Sequence, residues 1–327
     1  MSMRVLVVIL NWRTADMTLR AAEAALAAME GIEGGITIVD NDSGDGSFER
    51  LRDAAAARGR GRVRVLQSGR NGGFGAGNNV GIRAGLPDGR PDFVYIQNSD
   101  AFPDPGAIRA LRDHLLAHPH AGFAGSHIRG PDGAPHLTTF RFPSALGELE
   151  GAARIGPLSR LLRRHAVPVP VPGHSRPVDW LAGASLMMRM DALDRIGLFD
   201  ERFFLYYEET DLCLRLARAG QEVHFVRESE VVHIGSVSTG MKDWAEVPGY
   251  WFDSRWHYFV KNHGKAGALA ATAAQVAGGV LHRLRAFATG ARPGDPPKFL
   301  RTLVAHDLRA LMKPARPAAG PAPRPAG

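Results

Sequence analysis

The stretch "FVYIQNSD" at residues 93–100 ends in an amide, a hydroxyl and a carboxylate, supplied by Asn98, Ser99 and Asp100. These side chains can simply form a turn, because each bonds its neighbouring backbone and two prolines follow. A carboxylate at the end of a strand is also a suitable ligand for a hard divalent cation that bridges to substrate phosphates. The stretch therefore predicts either a turn or a metal-dependent binding site.

Two further stretches contain groups for metal binding or proton transfer. The imidazole of His233, in "HIGS", suits an ion such as Mn²⁺, although a lone loop histidine commonly serves only as a hydrogen-bonding residue. "YYEETD" holds three carboxylates, Glu208, Glu209 and Asp211, of which one can accept a proton from a substrate hydroxyl. Acidic residues in a first helical turn also stabilise the helix dipole, so a structural role is open for all three.

The elements that must position these groups alternate between strand and helix. Apolar runs predict buried strands at 4–11, 35–39, 62–68 and 93–97, and helices are predicted between them. A helix is predicted over 104–118, with Asp104 as its cap. This rhythm indicates βαβ units and a mostly parallel α/β sheet.

Several polar residues fall where these strands end. Asn11 ends the first strand, and Asp40 with Asn41 follows the second. Ligands of open parallel sheets bind beyond the carboxyl ends of the strands. Together with residues 98–100, these side chains predict a binding site at one sheet edge.

The glycine-rich run "NGGFGAGNN" at 71–79 resembles a dinucleotide-binding loop, but its spacing does not fit. A G-x-G-x-x-G motif would need glycine at 78 or 80, where Asn and Val stand, and no Gly-Lys-Ser/Thr sequence exists for a P-loop. We interpret the run as a loop whose small residues allow close backbone approach to a nucleotide.

Beyond residue 120 the pattern is less regular. We predict a strand over 180–188, a short helix capped by Asp191 and a helix from Glu208 to Gly220. Residues 222–240 are predicted to hold two short strands and a His-Gly-Ser loop. Residues 249–312 read as helices joined by Gly and Pro, and the Pro/Ala-rich tail at 313–327 is predicted to be disordered.

The positive charge is concentrated near the C-terminus. The chain of 327 residues has a formal charge of +7, and residues 250–316 hold eleven Lys/Arg against three Asp, or +8. A basic helical region with aromatic residues favours an anionic membrane surface over nucleic acid, and a solvated basic face is the alternative. One cysteine excludes an internal disulfide. We expect a cytoplasmic protein, peripheral on the inner face of the membrane.

Six stretches in order resemble glycosyltransferase family 2, especially bacterial rhamnosyltransferase-like members that build surface polysaccharides. They are "VVILNWRTADMTLRAAEAAL", "IVDNDSGDGS", "NGGFGAGNNVGI", "YIQNSDAF", "WLAGASLMMRMDALDRIGLFDERFFLYYEETDLCLRL" and "HIGSVS". The resemblance covers about residues 4–260. It implies a GT-A fold, an inverting transferase, and a catalytic domain at 1–248 with nucleotide-sugar binding in 1–120 and acceptor functions in 121–248. Residues 249–312 would form a membrane-associating appendage.

The resemblance also implies roles for individual residues. Asp40 would contact the donor base, and Asp100 would hold Mg²⁺ or Mn²⁺ on the donor diphosphate with help from His233. Glu209 would be the general base, although Glu208 and Asp211 stay open as candidates, because Asp is more usual at this place. The expected donor pocket contains Asn11, Asn41, Asn71, Gly73, Asn78, Asn98 and Ser99, and the sugar and acceptor pocket contains Trp180, Gly183 and Ala184.

The resulting hypothesis is sugar transfer from a dTDP- or UDP-sugar to a hydroxyl of a lipid-linked glycan, with rhamnose as the leading candidate. Asn98 stands where the family's metal motif has its first Asp, so an inactive relative acting as an assembly subunit is one alternative. A sugar nucleotidyltransferase is another, but such an enzyme should have a glycine-rich basic loop after the first strand. "LNWRTADMT" contains no glycine.

Overall fold

We analysed a computed structural model of the chain, which describes residues 3–59, 61–235, 246–291, 296 and 298–313. The first half alternates strands and helices as predicted. Its elements are β1 (Val5–Asn11), α1 (Ala15–Ala28), β2 (Gly34–Asp40), α2 (Ser47–Arg58), β3 (Val63–Gln67), α3 (Gly73–Ala84), β4 (Phe93–Asn98), β5 (Ala101–Pro103), α4 (Ala107–Ala117) and β6 (Ala121–Arg129).

The second half contains shorter strands and longer helices. Its elements are β7 (Thr139–Phe140), α5 (Ala145–Ala153), α6 (Gly156–Leu161), β8 (Pro168–Val169), β9 (Arg176–Val178), β10 (Trp180–Leu181), β11 (Ser185–Arg189), α7 (Met190–Ile196), α8 (Glu208–Arg218), β12 (Glu222–His233), α9 (Gly249–Thr289) and α10 (Phe299–Met312).

The main sheet has the order β3-β2-β1-β4-β11-β6-β12-β5, and β9 pairs with β12. Strands β1 to β4 are parallel, which confirms the predicted α/β arrangement. β11 is antiparallel between β4 and β6, so the sheet is mixed. Apolar side chains of β1 alternate between the two core layers, because successive residues of a strand face opposite sides.

Four predicted details are wrong. Residues 180–188 form two strands separated by a turn, and residues 222–233 form one strand with a register shift between Val226 and Glu230. Gly106, in the left-handed region at φ 88°, caps α4, because Asp104 accepts a hydrogen bond from Arg129 instead. Asp191 lies in the first turn of α7, whose cap is Arg189.

Helix α9 packs on α5 and on the segment before α8. Gly264 interrupts it with φ 72° and ψ 173°. Tyr258 and Phe259, before this kink, are buried against Phe203. These two aromatic residues thus form part of the core. No helix among the described residues is long and apolar enough to cross a membrane. Most of the predicted disordered tail, 314–327, lies outside the described residues.

A buried ion network joins α9 to α5 and α10. The guanidinium of Arg255, fully buried, donates to Glu148 at 2.6 and 2.9 Å and to Asp307 at 3.3 Å. Burial disfavours its charge, but the two carboxylates raise the pKa of Arg255 above its ordinary value. The second turn of α9 and the middle of α10 are therefore joined to α5.

Candidate active site

The predicted metal ligands lie together at the carboxyl end of β4. His233 Nε2 is 3.1 Å from Asp100 Oδ1 and 3.3 Å from Asn98 Nδ2. The Gly235 N–H donates to Asp100 Oδ2 at 3.0 Å. Although burial opposes ionisation, the bonds from His233 and Gly235 lower the pKa of Asp100 below its usual value. A carboxylate ready to bind a cation therefore faces an imidazole.

The donor set fits Mg²⁺ or Mn²⁺. Asp100 offers carboxylate oxygens, His233 offers an imidazole, and the buried amide oxygen of Asn98 has no hydrogen-bond partner. Among the residues that the structure describes, no three His, Cys, Asp or Glu side chains are grouped to hold a metal ion. The arrangement suits a cation that takes its remaining ligands from substrate phosphates and water.

A layer of polar side chains fills the ends of β1 and β2. Asn11 donates to Asp40 Oδ1 at 2.7 Å and accepts from Thr18 Oγ1 at 2.7 Å. Ser43 donates to both Asp40 oxygens, through its hydroxyl at 2.6 Å and its N–H at 3.1 Å. Thr14 reaches Ser99 at 3.2 Å. The structure therefore brings Asn11, Asp40 and Ser99 to one edge, as predicted.

The glycine-rich run is not the loop that we predicted. Helix α3 begins at Gly73, so most of residues 71–79 are helical. A Cβ at Gly77 would lie 2.3 Å from Leu10, and one at Gly73 would lie 1.8 Å from the carbonyl oxygen of Phe204. These glycines let α3 pack closely on β1 and on the segment before α8.

The amides around α3 have different positions. Asn41 donates to Asn71 at 3.0 Å and to the Gly73 carbonyl at 3.2 Å, which fixes the entry to the helix. Asn78 is fully buried and donates to the carbonyl of Phe74 at 3.0 Å. Asn71 is exposed at the edge, whereas the structure does not place Asn78 on the surface of the site.

Glu208 and Glu209 begin α8 after two tyrosines in the left-handed region, Tyr206 at φ 70° and Tyr207 at φ 69°. Glu208 is buried next to Gly75 of α3. Burial and the neighbouring Glu209 charge raise the pKa of Glu208 well above its ordinary value. Burial also raises the pKa of Glu209, and the nearby backbone groups of Glu209 itself and of Gly183 oppose the shift.

Asp211 has a different environment from the two glutamates. It accepts hydrogen bonds from Arg215 at 2.9 Å, from Lys261 at 2.7 Å and from Asn262 at 3.3 Å. Its carboxylate is fully buried and paired with two cations. The geometry therefore favours a role for Asp211 in holding α9 against α8 over a role as a proton acceptor.

Glu209 faces a cavity of about 340 Å³. Trp180, one of the predicted pocket residues, forms part of its wall and stacks on Phe140 with ring centroids 4.2 Å apart. Residues that the sequence did not indicate complete the wall. They include Glu148 and Glu150 of α5, Tyr206 and Tyr207 before α8, and Trp251 and Gln275 of α9.

The turn at Gly183 and Ala184 connects the two halves of the site. The N–H of Asn98, next to the metal-ligand group, donates to the Ala184 carbonyl at 3.1 Å. A Cβ at the preceding residue, Gly183, would lie 3.1 Å from the Phe74 ring and 3.9 Å from Glu209 Oε1. The turn therefore adjoins both the strand end that carries the metal-ligand group and the carboxylate suited to proton transfer.

Known proteins resemble this chain in sequence. An N-acetylglucosaminyl-diphospho-decaprenol L-rhamnosyltransferase from Mycobacterium tuberculosis is 34% identical over 220 residues, which are 63% of this chain and 68% of that protein. Rhamnosyltransferase WbbL from Escherichia coli is 41% identical over 56 residues, 17% of this chain and 21% of that protein.

Solved structures share the fold. GalNAc-T7, crystallised with UDP, GalNAc and Mn²⁺, matches 94% of this chain with a TM-score of 0.59 and 12% identity, and the chain spans 55% of its length. The mannosyltransferase PcManGT from Pyrobaculum calidifontis, in complex with GDP-Man and Mn²⁺, matches 95% of this chain and 86% of that chain, with a TM-score of 0.52 and 14% identity. These neighbours confirm the predicted GT-A fold.

The family model described as glycosyltransferase like family 2 matches residues 3–247. This range contains both carboxylate groups of the site and the sheet that positions them. The chain is a glycosyltransferase and belongs to glycosyltransferase-like family 2.

Proposed function

We propose that the chain transfers a sugar, with inversion, from a nucleoside-diphosphate sugar to a hydroxyl of a lipid-linked glycan. The observation that carries this proposal is the Gly183-Ala184 turn, in which Ala184 contacts the strand end before Asp100 and Gly183 lies next to Glu209. A donor diphosphate at Asp100 and an acceptor hydroxyl at Glu209 would meet at this turn. A single displacement from the face opposite the leaving group inverts the anomeric centre.

Glu209 is the proposed general base. A hydroxyl is a weak nucleophile and needs a positioned acceptor for its proton as it attacks. Two adjacent buried carboxylates cannot both ionise easily, so one takes the charge while its neighbour stays protonated. Each glutamate has one buried oxygen without a hydrogen-bond partner, but Glu208 is almost completely buried, whereas Glu209 lines the cavity that an acceptor can enter.

Asp100 and His233 would hold a divalent cation, with the Asn98 amide oxygen beside them. When bound, such an ion neutralises the charge that develops on a diphosphate leaving group. Asp40, Asn11, Asn41, Asn71 and Ser99 would position the nucleotide, and Asp40 would contact its base. This metal dependence is supported by the donor chemistry of the site and by the Mn²⁺ named with both solved neighbours.

Rhamnose is the proposed sugar, because both rhamnosyltransferase relatives are named for it. The proposed acceptor is an N-acetylglucosaminyl-diphospho-polyprenol, as named for the relative from M. tuberculosis. Such an acceptor resides in a bilayer, so we also propose that the enzyme works at the anionic cytoplasmic face of a membrane. dTDP-rhamnose is the leading donor candidate and UDP-sugars are the alternatives.

A two-stage experiment tests this function. First, dTDP- and UDP-sugars are compared with Mn²⁺ for their ability to raise the thermal unfolding temperature, since a ligand that binds the folded state stabilises it by mass action. Second, the stabilising donor is incubated with the N-acetylglucosaminyl-diphospho-polyprenol, and the product is analysed by mass spectrometry and NMR. A retained anomeric configuration, or neither donor hydrolysis nor transfer with any sugar, contradicts the proposal. The second result would favour an inactive assembly subunit.

A further inference from the structure

The second half of α9, beyond the kink at Gly264, has two different faces. One face is buried against the protein, where a Cβ at Gly278 would lie 2.7 Å from Ala152 of α5 and one at Gly279 would lie 2.9 Å from Leu300 of α10. The opposite face is exposed. Its exposed residues are all apolar: Ala266, Leu269, Ala270, Ala273, Ala277, Val280, Leu281, Leu284, Phe287 and Ala288.

These ten residues, which we call the outer stripe, follow one line along the helix. Their spacings of three, four and one residues keep them within a sector about 120° wide, over roughly six turns. Two large side chains near the end of the stripe are mostly accessible, with Leu284 exposed by 61% and Phe287 by 90%. The outward face of a surface helix is normally polar, so this pattern indicates that something covers the stripe.

Basic residues border the outer stripe on both sides. At 100° per residue, Lys265 and Arg283 lie along one border and Arg285 lies along the other. Between Asp253 and Asp295 the sequence contains no acidic residue. Long basic side chains at the edges of an apolar face can place their charges among lipid headgroups while the face contacts acyl chains.

The charges also decide between a bilayer and a second copy of the chain. Two copies that paired through the outer stripe would bring their basic borders together without acidic partners, and like charges at such positions oppose pairing. An anionic lipid surface supplies the missing negative charge. We therefore propose that the outer stripe of α9 binds the headgroup layer of an anionic bilayer, with the helix lying in the membrane plane.

Membrane binding through the outer stripe would also fix the distance between the active site and the membrane surface. This consequence rests on the proposed function. Gln275 lines the cavity beside Glu209 and lies on the side of α9 opposite the outer stripe. The cavity is thus about one helix diameter, roughly 10 Å, from the stripe. A sugar attached to a membrane lipid by a diphosphate would have to rise only this far to reach the cavity that Glu209 lines.

Co-sedimentation with lipid vesicles tests the proposal without donor or acceptor, so its result is independent of transfer activity. The full chain should bind phosphatidylglycerol-containing vesicles, bind pure phosphatidylcholine vesicles less, and be released by high salt. The double variant Leu284→Gln/Phe287→Gln should bind at least about tenfold more weakly, because two apolar side chains no longer enter the lipid. The matched control Leu116→Gln/Leu137→Gln, at exposed apolar positions elsewhere, should bind like the parent chain.

A second pair of variants tests the basic borders. Lys265→Gln/Arg285→Gln should weaken binding to anionic vesicles by about tenfold and reduce its salt dependence, whereas Arg52→Gln/Arg90→Gln should change neither. Circular dichroism establishes that each variant is folded. The proposal is overturned if the parent chain binds no vesicles, if it binds neutral and anionic vesicles equally, or if Leu284→Gln/Phe287→Gln binds normally. A dimer that the same double variant converts to monomers would assign the stripe to a second copy.

Discussion

His233 Nε2 lies 3.1 Å from Asp100 Oδ1, although 133 residues separate them in the chain. The sheet produces this contact, because the end of β12 pairs antiparallel with β5, and His233 is aligned with Ala101. Both residues are candidate metal ligands from the sequence alone, because Asp100 follows an apolar strand and His233 is an imidazole in a predicted loop. Their proximity is the reason to treat them as one ligand group.

The first prediction concerns Asp100. Asp100→Ala should reduce turnover by at least about a hundredfold with the fold intact, because the leaving diphosphate would lose its charge stabilisation. Steady-state transfer assays measure the effect, and Asp104→Ala, which removes a carboxylate four residues away, is the matched control. Saturating EDTA should have a similar effect to Asp100→Ala. Near-normal activity in EDTA would contradict the metal assignment.

The second prediction separates the three acidic residues of α8. Glu209→Gln should abolish transfer but retain donor binding, because an amide keeps the shape of the side chain and cannot accept the proton. Asp211→Asn should mainly lower stability, because Arg215 and Lys261 would lose their common partner. Donor affinity, transfer rate and unfolding midpoint are measured for both variants and for Glu208→Gln. If Glu208→Gln is inactive while Glu209→Gln is active, Glu208 is the base.

The sequence predicts the location of a site residue most accurately when that residue stands at the end of a strand. Strand ends of a parallel sheet meet at one edge, so Asn11, Asp40 and Asp100 could be grouped before the structure was known. The choice of general base among Glu208, Glu209 and Asp211 could be narrowed only with the structure. Asp211 pairs with Lys261, which lies 50 residues further along the chain, and no local sequence pattern indicates this contact.

The role of the α3 glycines and the composition of the cavity wall could not be predicted from the sequence. The glycines of α3 predict a ligand-binding loop from the sequence, but in the structure they permit close packing against Leu10 and Phe204. These packing partners are far away in the sequence, so no local pattern indicates them. The cavity wall formed by Trp251 and Gln275 depends on how α9 docks onto α5. Such docking is determined by complementary surfaces far apart in sequence.

The third prediction tests the close packing at Gly73. Gly73→Ala should lower the free energy of unfolding by about 3 kcal/mol or more, because the added methyl meets the Phe204 carbonyl and φ is 85°. Gly133→Ala is the control, since its φ of 81° is similar and no atom lies within 4 Å of a Cβ there. Gly133→Ala should lower the free energy of unfolding by only about 1–2 kcal/mol. Denaturant unfolding measures both, and equal losses would contradict the packing explanation.

The fourth prediction concerns pH and a histidine cluster remote from the active site. His114 Nε2 is 2.9 Å from His224 Nδ1, and its ring stacks on His118 at 4.1 Å. Burial and the two neighbouring imidazoles lower the pKa of His114 from 6.5 to about 4. The unfolded chain then binds this proton more readily, so stability should fall as the pH drops from about 6.5 to 4.

Urea unfolding across this pH range measures the effect in the parent chain, in His114→Gln and in His120→Gln as a control. The loss of stability between pH 6.5 and 4 should be smaller in His114→Gln than in the other two proteins. An unchanged pH dependence in His114→Gln would show that His114 does not contribute to it.

The last prediction concerns Arg255, which connects the C-terminal helices to the wall of the active-site cavity. Arg255→Met keeps much of the side-chain volume but leaves Glu148 and Asp307 without their buried cation, so the free energy of unfolding should fall by about 3–5 kcal/mol. Arg301→Met, at an exposed position of α10, should change it by less than about 0.5 kcal/mol. Because Glu148 also lines the cavity, Arg255→Met should raise the KM for the acceptor more than the KM for the donor. Equal free energies of unfolding for Arg255→Met and Arg301→Met would show that the ion network does not hold α9 in place. Other contacts would then have to position the cavity wall.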